Sequence, residues 1–298
     1  MLLVLAVLFL GCSLLVDNFL SVANLRGLAL AVATIGMVAC SMMFCLAAGD
    51  FDLSVGSIVA FAGVLGATVM NATGSVFAGV TAALASGAVI GLVNGVFVAR
   101  LGINALITTL ASMQIVRGLG FIASDGRAVG IRTDGFFALG NTAWLGVPVP
   151  VWLTAACFCV FGVLLNVTLF GRHALAIGGN KEAAHLAGVP VVRIKIVIFT
   201  LQGVIAALAG LVLAARMTSG QPNTSQGLEL EVISACVLGG VSLSGGVARI
   251  GAVIAGVLIM GLVQNAMNLL NIPPFYQYVA RGCILLGAVM LDRLKQRA

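Results

Sequence analysis

No residue between Asp52 and Arg100 carries a charge. A stretch that apolar must be shielded along its whole length by protein or lipid. At 1.5 Å per residue a bilayer crossing takes about 20 mostly apolar residues, so this interval holds two crossings. Asn71-Ala72-Thr73-Gly74 supplies the turn between them. The rest of the chain repeats the pattern. Charged residues make up 8% of the sequence and hydrophobic ones 61%, against roughly 25% charged in an ordinary soluble domain. A water-exposed surface cannot be built from so few charges, and a soluble globular class is excluded.

Dividing the chain at its charges gives residues 1–16, one span between Arg26 and Asp50, two between Asp52 and Arg100, and further spans at about 105–122 and 149–168. Lys195 to Arg216 holds another, Glu231 to Arg249 a short one, and about 251–270 and 276–291 the last two, ten in all. The predicted fold is all-α, a polytopic transmembrane helical bundle with short broken helices and residues 1–298 as a single transmembrane domain. Met1 is followed by Leu-Leu-Val-Leu and the first basic residue is Arg26, so residues 1–16 lack the n-region of a signal peptide and read as a retained first span. Phe9-Leu10-Gly11-Cys12 resembles a lipoprotein cleavage box only faintly.

An even number of spans puts both termini on one side, and the Lys/Arg bias selects the cytoplasm. The inside segments then carry nine basic residues: Arg100, Arg172, Lys181, Arg193, Lys195, Arg249, Arg293, Lys295 and Arg297. The outside segments carry four, Arg26, Arg127, Arg132 and Arg216. Trp144, Trp152, Tyr276 and Tyr278 fall near the outer interface, where amphipathic rings settle.

The net charge of +6 follows from this topology and implies no nucleic-acid partner; the partner it does imply is the lipid bilayer. Seven cysteines lie in apolar stretches with no C-x-x-C pair, and the chain has two histidines, so neither a metal site nor a cofactor is expected. Gly87, Gly91 and Gly95 form a flat stripe on one helix face, a sign of close helix packing.

Residues 49–56 (GDFDLSVG) and 239–246 (GGVSLSGG) echo each other at an offset of 190. Both interrupt apolar helices, so they are loops at the inner face or irregular segments lining a cavity. Asp50 and Asp52 share the choice: functional acids at membrane depth, or caps for the helix that follows. The long segment at about 169–195 carries its own helix signals. Asn180 is an N-cap, Gly188 a terminator and Pro190 a block, which predicts a short helix over 181–187. Ala183, Leu186 and Ala187 share one face of it, and Lys181, Glu182 and His185 another.

The stretches GDFDLSVGS (49–57), GLVNGVFVARLGINALITT (91–109), the Arg117-Gly118 pair and GGNKEAAHLAGVPVVRIK (178–195) together resemble the sugar permeases of bacterial ATP-binding-cassette importers, the ribose, xylose, galactoside and arabinose group. The resemblance covers essentially the whole chain. MVACSMMFCLAAGDFDLSV, RMTSGQP and ISACVLGGVSL lean toward the L-arabinose branch, which makes a monosaccharide, L-arabinose, the expected substrate. The polar segment that usually precedes the first span in that family is nearly absent, a departure that points to a truncated or misassigned start.

The resemblance implies a multi-pass protein of the bacterial inner membrane, a permease homodimer, two cytoplasmic ATPase subunits and a periplasmic sugar-binding protein. It implies that 169–195 is the ATPase-coupling loop, with Gly178, Asn180, Lys181, Glu182, Ala183, Ala184 and Gly188 at the contact. The sequence itself shows that hydrolysis must come from elsewhere, since none of its three lysines (Lys181, Lys195, Lys295) sits in a phosphate-binding loop. The chain is not expected to be an enzyme. The polar residues Asp50, Asp52, Ser54, Asn94, Gln114, Asn265 and Asn268 are candidates for the translocation pathway, with interhelical hydrogen bonding as the alternative role. Arg117 and Arg281 are placed at the periplasmic mouth, either pairing with Glu229, Glu231 or helix-end carbonyls or snorkelling to the lipid headgroups. The segments 123–148 and 216–228, with Asp125, Arg127, Arg132, Asp134, Arg216 and Glu229 in or beside them, are the expected docking surface for the binding protein. The competing functions are an ion-coupled secondary transporter, a channel, and a branched-chain amino-acid permease of the same importer class.

Overall fold

Every apolar interval is helical, because a backbone shielded from water satisfies its N–H and C=O groups most completely within its own helix. The computed structural model describes residues 1–297, without the side chains of Asp134 and of 291–297. The side chains of the topological residues Arg293, Lys295 and Arg297, and of the loop residue Asp134, therefore lie outside what is described. In chain order the helices are α1 (Leu2–Leu15), α2 (Val22–Ala47), α3 (Val55–Thr73), α4 (Val76–Ala99) and α5 (Ala105–Ser124). A short α6 (Ala138–Asn141) precedes α7 (Val149–Asn166), α8 (Leu169–Gly179) and α9 (Lys181–Leu186). The remainder are α10 (Val191–Met217), α11 (Leu228–Leu238), α12 (Ile250–Leu269) and α13 (Pro274–Arg297).

All ten expected segments are helices, but seven of them, α2, α3, α4, α5, α7, α10 and α12, are long and apolar enough to cross a membrane among the described residues. The count of ten crossings is not reached on these grounds. With 14 and 11 residues, α1 and α11 measure about 21 and 16 Å, short of the ~30 Å hydrocarbon core. Two minimal antiparallel pairings qualify the all-α expectation: β1 (Val129–Gly130) with β4 (Ser219–Gly220), and β2 (Ala143–Trp144) with β3 (Val147–Pro148). In the β2–β3 hairpin the Trp144 carbonyl accepts from Trp152 Nε1 at 3.2 Å, and the two indoles lie 5.3 Å apart. This end of the bundle is the hairpin end; the opposite one is the α9 end.

The core is built around α2, whose residues from Val32 to Ala47 are buried without interruption. A helix apolar on all sides must be surrounded, and α7, α8, α10, α11 and α12 pack around this one. The second seam joins α4 to α10. A Cβ on Gly91 would collide with the Phe199 carbonyl, and one on Gly87 with that of Gly203, so the glycine stripe lets the two backbones touch.

Candidate functional site

Two stretches of non-helical backbone run from the ends of the bundle into its interior. The first is the linker 48–54 between α2 and α3. Val59 backs onto Gly210, seven residues from the hairpin-side end of α10, so the first turn of α3 starts near the middle of that helix. Irregular backbone at this depth must find partners within the protein. Lys195 Nζ, from the α9-side part of α10, lies 2.8 Å from Asp50 Oδ2 and donates to Oδ1 at 3.0 Å; both side chains are at most 10% exposed. Two residues on, Asp52 Oδ1 accepts from the Ser54 amide at 2.9 Å and from its hydroxyl at 2.5 Å. Asn94 of α4 donates its Nδ2 to Ser54 Oγ at 3.0 Å. Asp52 holds Ser54, the residue at the start of α3, without capping the helix itself, while Asp50 is the anion of a buried ion pair that joins positions 145 residues apart.

The α9 end is a three-way backbone junction. Gly246 donates its amide to the Ala47 carbonyl at 2.9 Å. Gly178, near the end of α8, fits against both: a Cβ there would collide with the Ala47 carbonyl and stand 2.5 Å from the Gly246 amide nitrogen. The two echoing segments thus meet the long 169–195 segment at a point where only glycine fits. Most of 169–180, expected as connector, is the helix α8, capped by Thr168 onto the Gly171 amide at 3.3 Å. The short helix α9 follows within a residue of its expected bounds. Asn180 Oδ1 accepts from the Ala183 amide at 2.9 Å, and Gly188 takes φ +83° to close the turn. Lys181, Glu182, Ala183 and Gly188 are exposed and Leu186 is 87% exposed, whereas Ala184 is the one buried residue of α9.

The second irregular stretch follows α10. Thr218 turns in the left-handed region, and the chain doubles back into the bundle beside α3. Gly220 packs on the backbone of Gly63 and Val64. Pro222 lies beside Gly120 of α5, and the Ser225 carbonyl and Glu229 carboxylate close over Gly56. From Gly63 to Gly56 is two helical turns, about 10 Å of descent. Only there does α11 begin, with Glu229 and Glu231 in its first turn, where acidic groups complement the helix dipole. The segment 216–228 is therefore not a surface loop along its length. Its polar residues hid the re-entry from a hydropathy reading, because protein rather than water covers the backbone.

Arg117 of α5 pins this segment, donating from Nη1 to the Pro222 and Thr224 carbonyls at 2.8 and 2.7 Å. Arg281 of α13 pairs with Glu231 of α11 and lies over the Tyr278 ring. Two further candidates serve as links between helices. Asn265 and Asn24 exchange amide hydrogen bonds at 2.7 and 3.0 Å, and Asn268 accepts from Gln277 at 2.9 Å. Gln114, on α5, is exposed and makes no side-chain hydrogen bond among the described residues.

Apolar crossings combined with helices interrupted at membrane depth define a polytopic membrane transport protein. The chain belongs to the family described as "Branched-chain amino acid transport system / permease component", whose profile matches residues 24–289. It is 63% identical over 298 residues, all of this chain and 91% of the relative, to the L-arabinose transport system permease protein AraH of Escherichia coli (strain K12). It is 56% identical to the L-arabinose ABC transporter permease protein AraH of Azospirillum brasilense, over 97% of this chain and 86% of that protein. With the ribose import permease protein RbsC of Escherichia coli (strain K12) the identity is 38%, over 95% and 90%. No solved structure matches the chain.

Proposed function

We propose that this chain is the membrane-spanning permease subunit of an ATP-binding-cassette importer that carries a monosaccharide, L-arabinose, across the bacterial inner membrane. The observation that carries this reading is the 63% identity to an L-arabinose permease along the whole chain. In this reading the ten helices are spans or half-spans of one membrane domain, with the termini and α9 in the cytoplasm and the β2–β3 hairpin outside. Two copies of the chain form the pathway, two ATPase subunits hydrolyse ATP, and a periplasmic binding protein delivers the sugar.

The exposed face of α9 suits contact with an ATPase subunit. Leu186 offers an apolar knob with Ala183 and Ala187 beside it, all exposed. Gly178 and Ala184 face the permease itself, so they hold α9 in place rather than meet the partner. The Lys195–Asp50 pair lies one segment further on, where it joins the root of α10 to the linker at the start of α3. Asp50, Asp52, Ser54 and Asn94 are in this reading the inner frame of the pathway, and Arg117, Arg281, Glu229 and Glu231 brace its outer half.

The family description favours a second cargo, a branched-chain amino acid. Reconstitution with the ATPase and the binding protein, followed by uptake of labelled L-arabinose and labelled leucine, separates the two. ATP-dependent arabinose uptake is expected. Uptake of leucine alone, or arabinose uptake driven by an ion gradient without ATP, overturns the reading. Leu186→Glu should leave the protein in the membrane at normal levels and abolish its capture of the ATPase subunit.

A further inference from the structure

We propose that the sugar is met, at membrane depth, by the side chains of Asn223 and Gln226 on the re-entrant segment and Gln114 on α5. The assignment rests on the importer reading above and names residues for its pathway.

Depth comes first. Arg117 lies seven residues from Ser124, about 10 Å along α5 from its hairpin-side end. Its guanidinium holds the carbonyls of Pro222 and Thr224, which fixes the level of residues 222–224. The next residues go deeper: the Ser225 carbonyl faces Gly56, seventeen residues from Thr73, about 25 Å down α3. Asn223 and Gln226 thus lie well inside the span of their neighbouring helices.

Both side chains are exposed, and neither makes a hydrogen bond among the described residues. A free amide facing lipid at that depth would lose its hydrogen bonds to water and regain none. Non-helical backbone at membrane depth is tolerated where protein buries it or where it borders a water-filled cavity. Protein buries Pro222, and the exposed positions alternate with the held ones, so Asn223 and Gln226 border the cavity.

Gln114 extends this face. It sits one turn along α5 from Arg117, on the same side, and is exposed too. The flank of the helix that carries Ile115 and Ile122, 63% and 75% exposed, has the character of a lipid-facing surface. Three uncommitted amides around one segment offer both donors and acceptors without a fixed charge. That chemistry suits the hydroxyls of a small sugar, which must bind weakly enough to be released.

The test uses the assembled importer in proteoliposomes. Asn223→Cys and Gln226→Cys should react, above the background of the native cysteines, with a membrane-impermeant charged thiol reagent during ATP turnover. Reaction only with a lipid-soluble maleimide would show that these positions face lipid, and would overturn the proposal whatever the cargo. The Asn223→Leu, Gln226→Leu and Gln114→Leu variants should lose about tenfold or more of their sugar uptake, while the assembled importer is recovered in the liposomes at the parent's level. Normal sugar uptake by all three variants would refute the contact and leave the importer reading standing. Failure of the parent chain to take up sugar would refute the importer reading itself, with the labelling result still deciding whether the cavity exists.

Discussion

The linker 48–54 and the re-entrant segment 218–227 are both polar, both non-helical and both set inside the bundle, yet they have opposite accounts of their polar groups. In the linker, Asp50 is matched by Lys195, Asp52 Oδ1 by Ser54, and Ser54 by Asn94; Asp50, Asp52 and Ser54 are buried, and Asp52 Oδ2 has no partner among the described residues. In the re-entrant segment the backbone is matched, through Arg117, but Asn223 and Gln226 project free. Polarity at membrane depth therefore has two meanings. Where the groups satisfy one another they hold helices together, and where they stay free and exposed they are open to water or a solute.

The comparison can be broken most forcefully at the ion pair. Lys195→Met leaves Asp50 buried and unpaired, which should cost about 3–5 kcal/mol of stability, seen as loss of monodisperse protein in detergent. A Lys195→Met, Asp50→Leu double variant should recover most of that loss. Next is Arg117→Leu, which frees two carbonyls at depth. A charge-assisted hydrogen bond contributes about 1.5–3 kcal/mol, so a drop of about 2 kcal/mol is expected in thermal unfolding, together with faster proteolysis between Gly220 and Gly227. Removing the Asp52 carboxylate is milder. Asp52→Ala takes the hydrogen-bond acceptor from Ser54 and should cost about 1 kcal/mol, with Asp52→Asn milder still because its Oδ1 can still accept from Ser54. The smallest effect sharpens the contrast: Asn223→Ala should stay within about 0.5 kcal/mol of the parent. A destabilisation there as large as at Lys195 would show that the re-entrant segment is another structural joint.

Much of this architecture was legible because its causes are local. The charge-free interval from Asp52 to Arg100 gave α3 and α4, and Asn180 and Gly188 drew α9 to within a residue. The stripe Gly87, Gly91, Gly95 announced a backbone contact, though not that α10 would make it. What stayed hidden depends on distant partners. Asp50 could not be told from a functional acid until Lys195, far along the chain, arrived beside it. Asn94, Asn265 and Asn268 looked as available for sugar as Gln114, and differ from it in having found partners. The re-entry of 218–227 was missed because a polar run between two apolar ones reads as a surface loop. The signal that could have exposed it is the pairing of Gly63 on α3 with Gly220 after α10, a fit of backbone to backbone. α8 was missed although Thr168 supplied its cap.

The β2–β3 hairpin gives the molecule an optical property as well as a shape. Trp144 and Trp152 are the chain's only tryptophans, and with their indoles 5.3 Å apart at a single corner they act as one chromophore. The tryptophan emission of the permease thus originates at the hairpin end beside α7, and close coupling of the two rings should give an exciton couplet in circular dichroism. An unlabelled protein arriving at that end would announce itself by a change of colour or intensity, while events around α9 would leave the spectrum untouched.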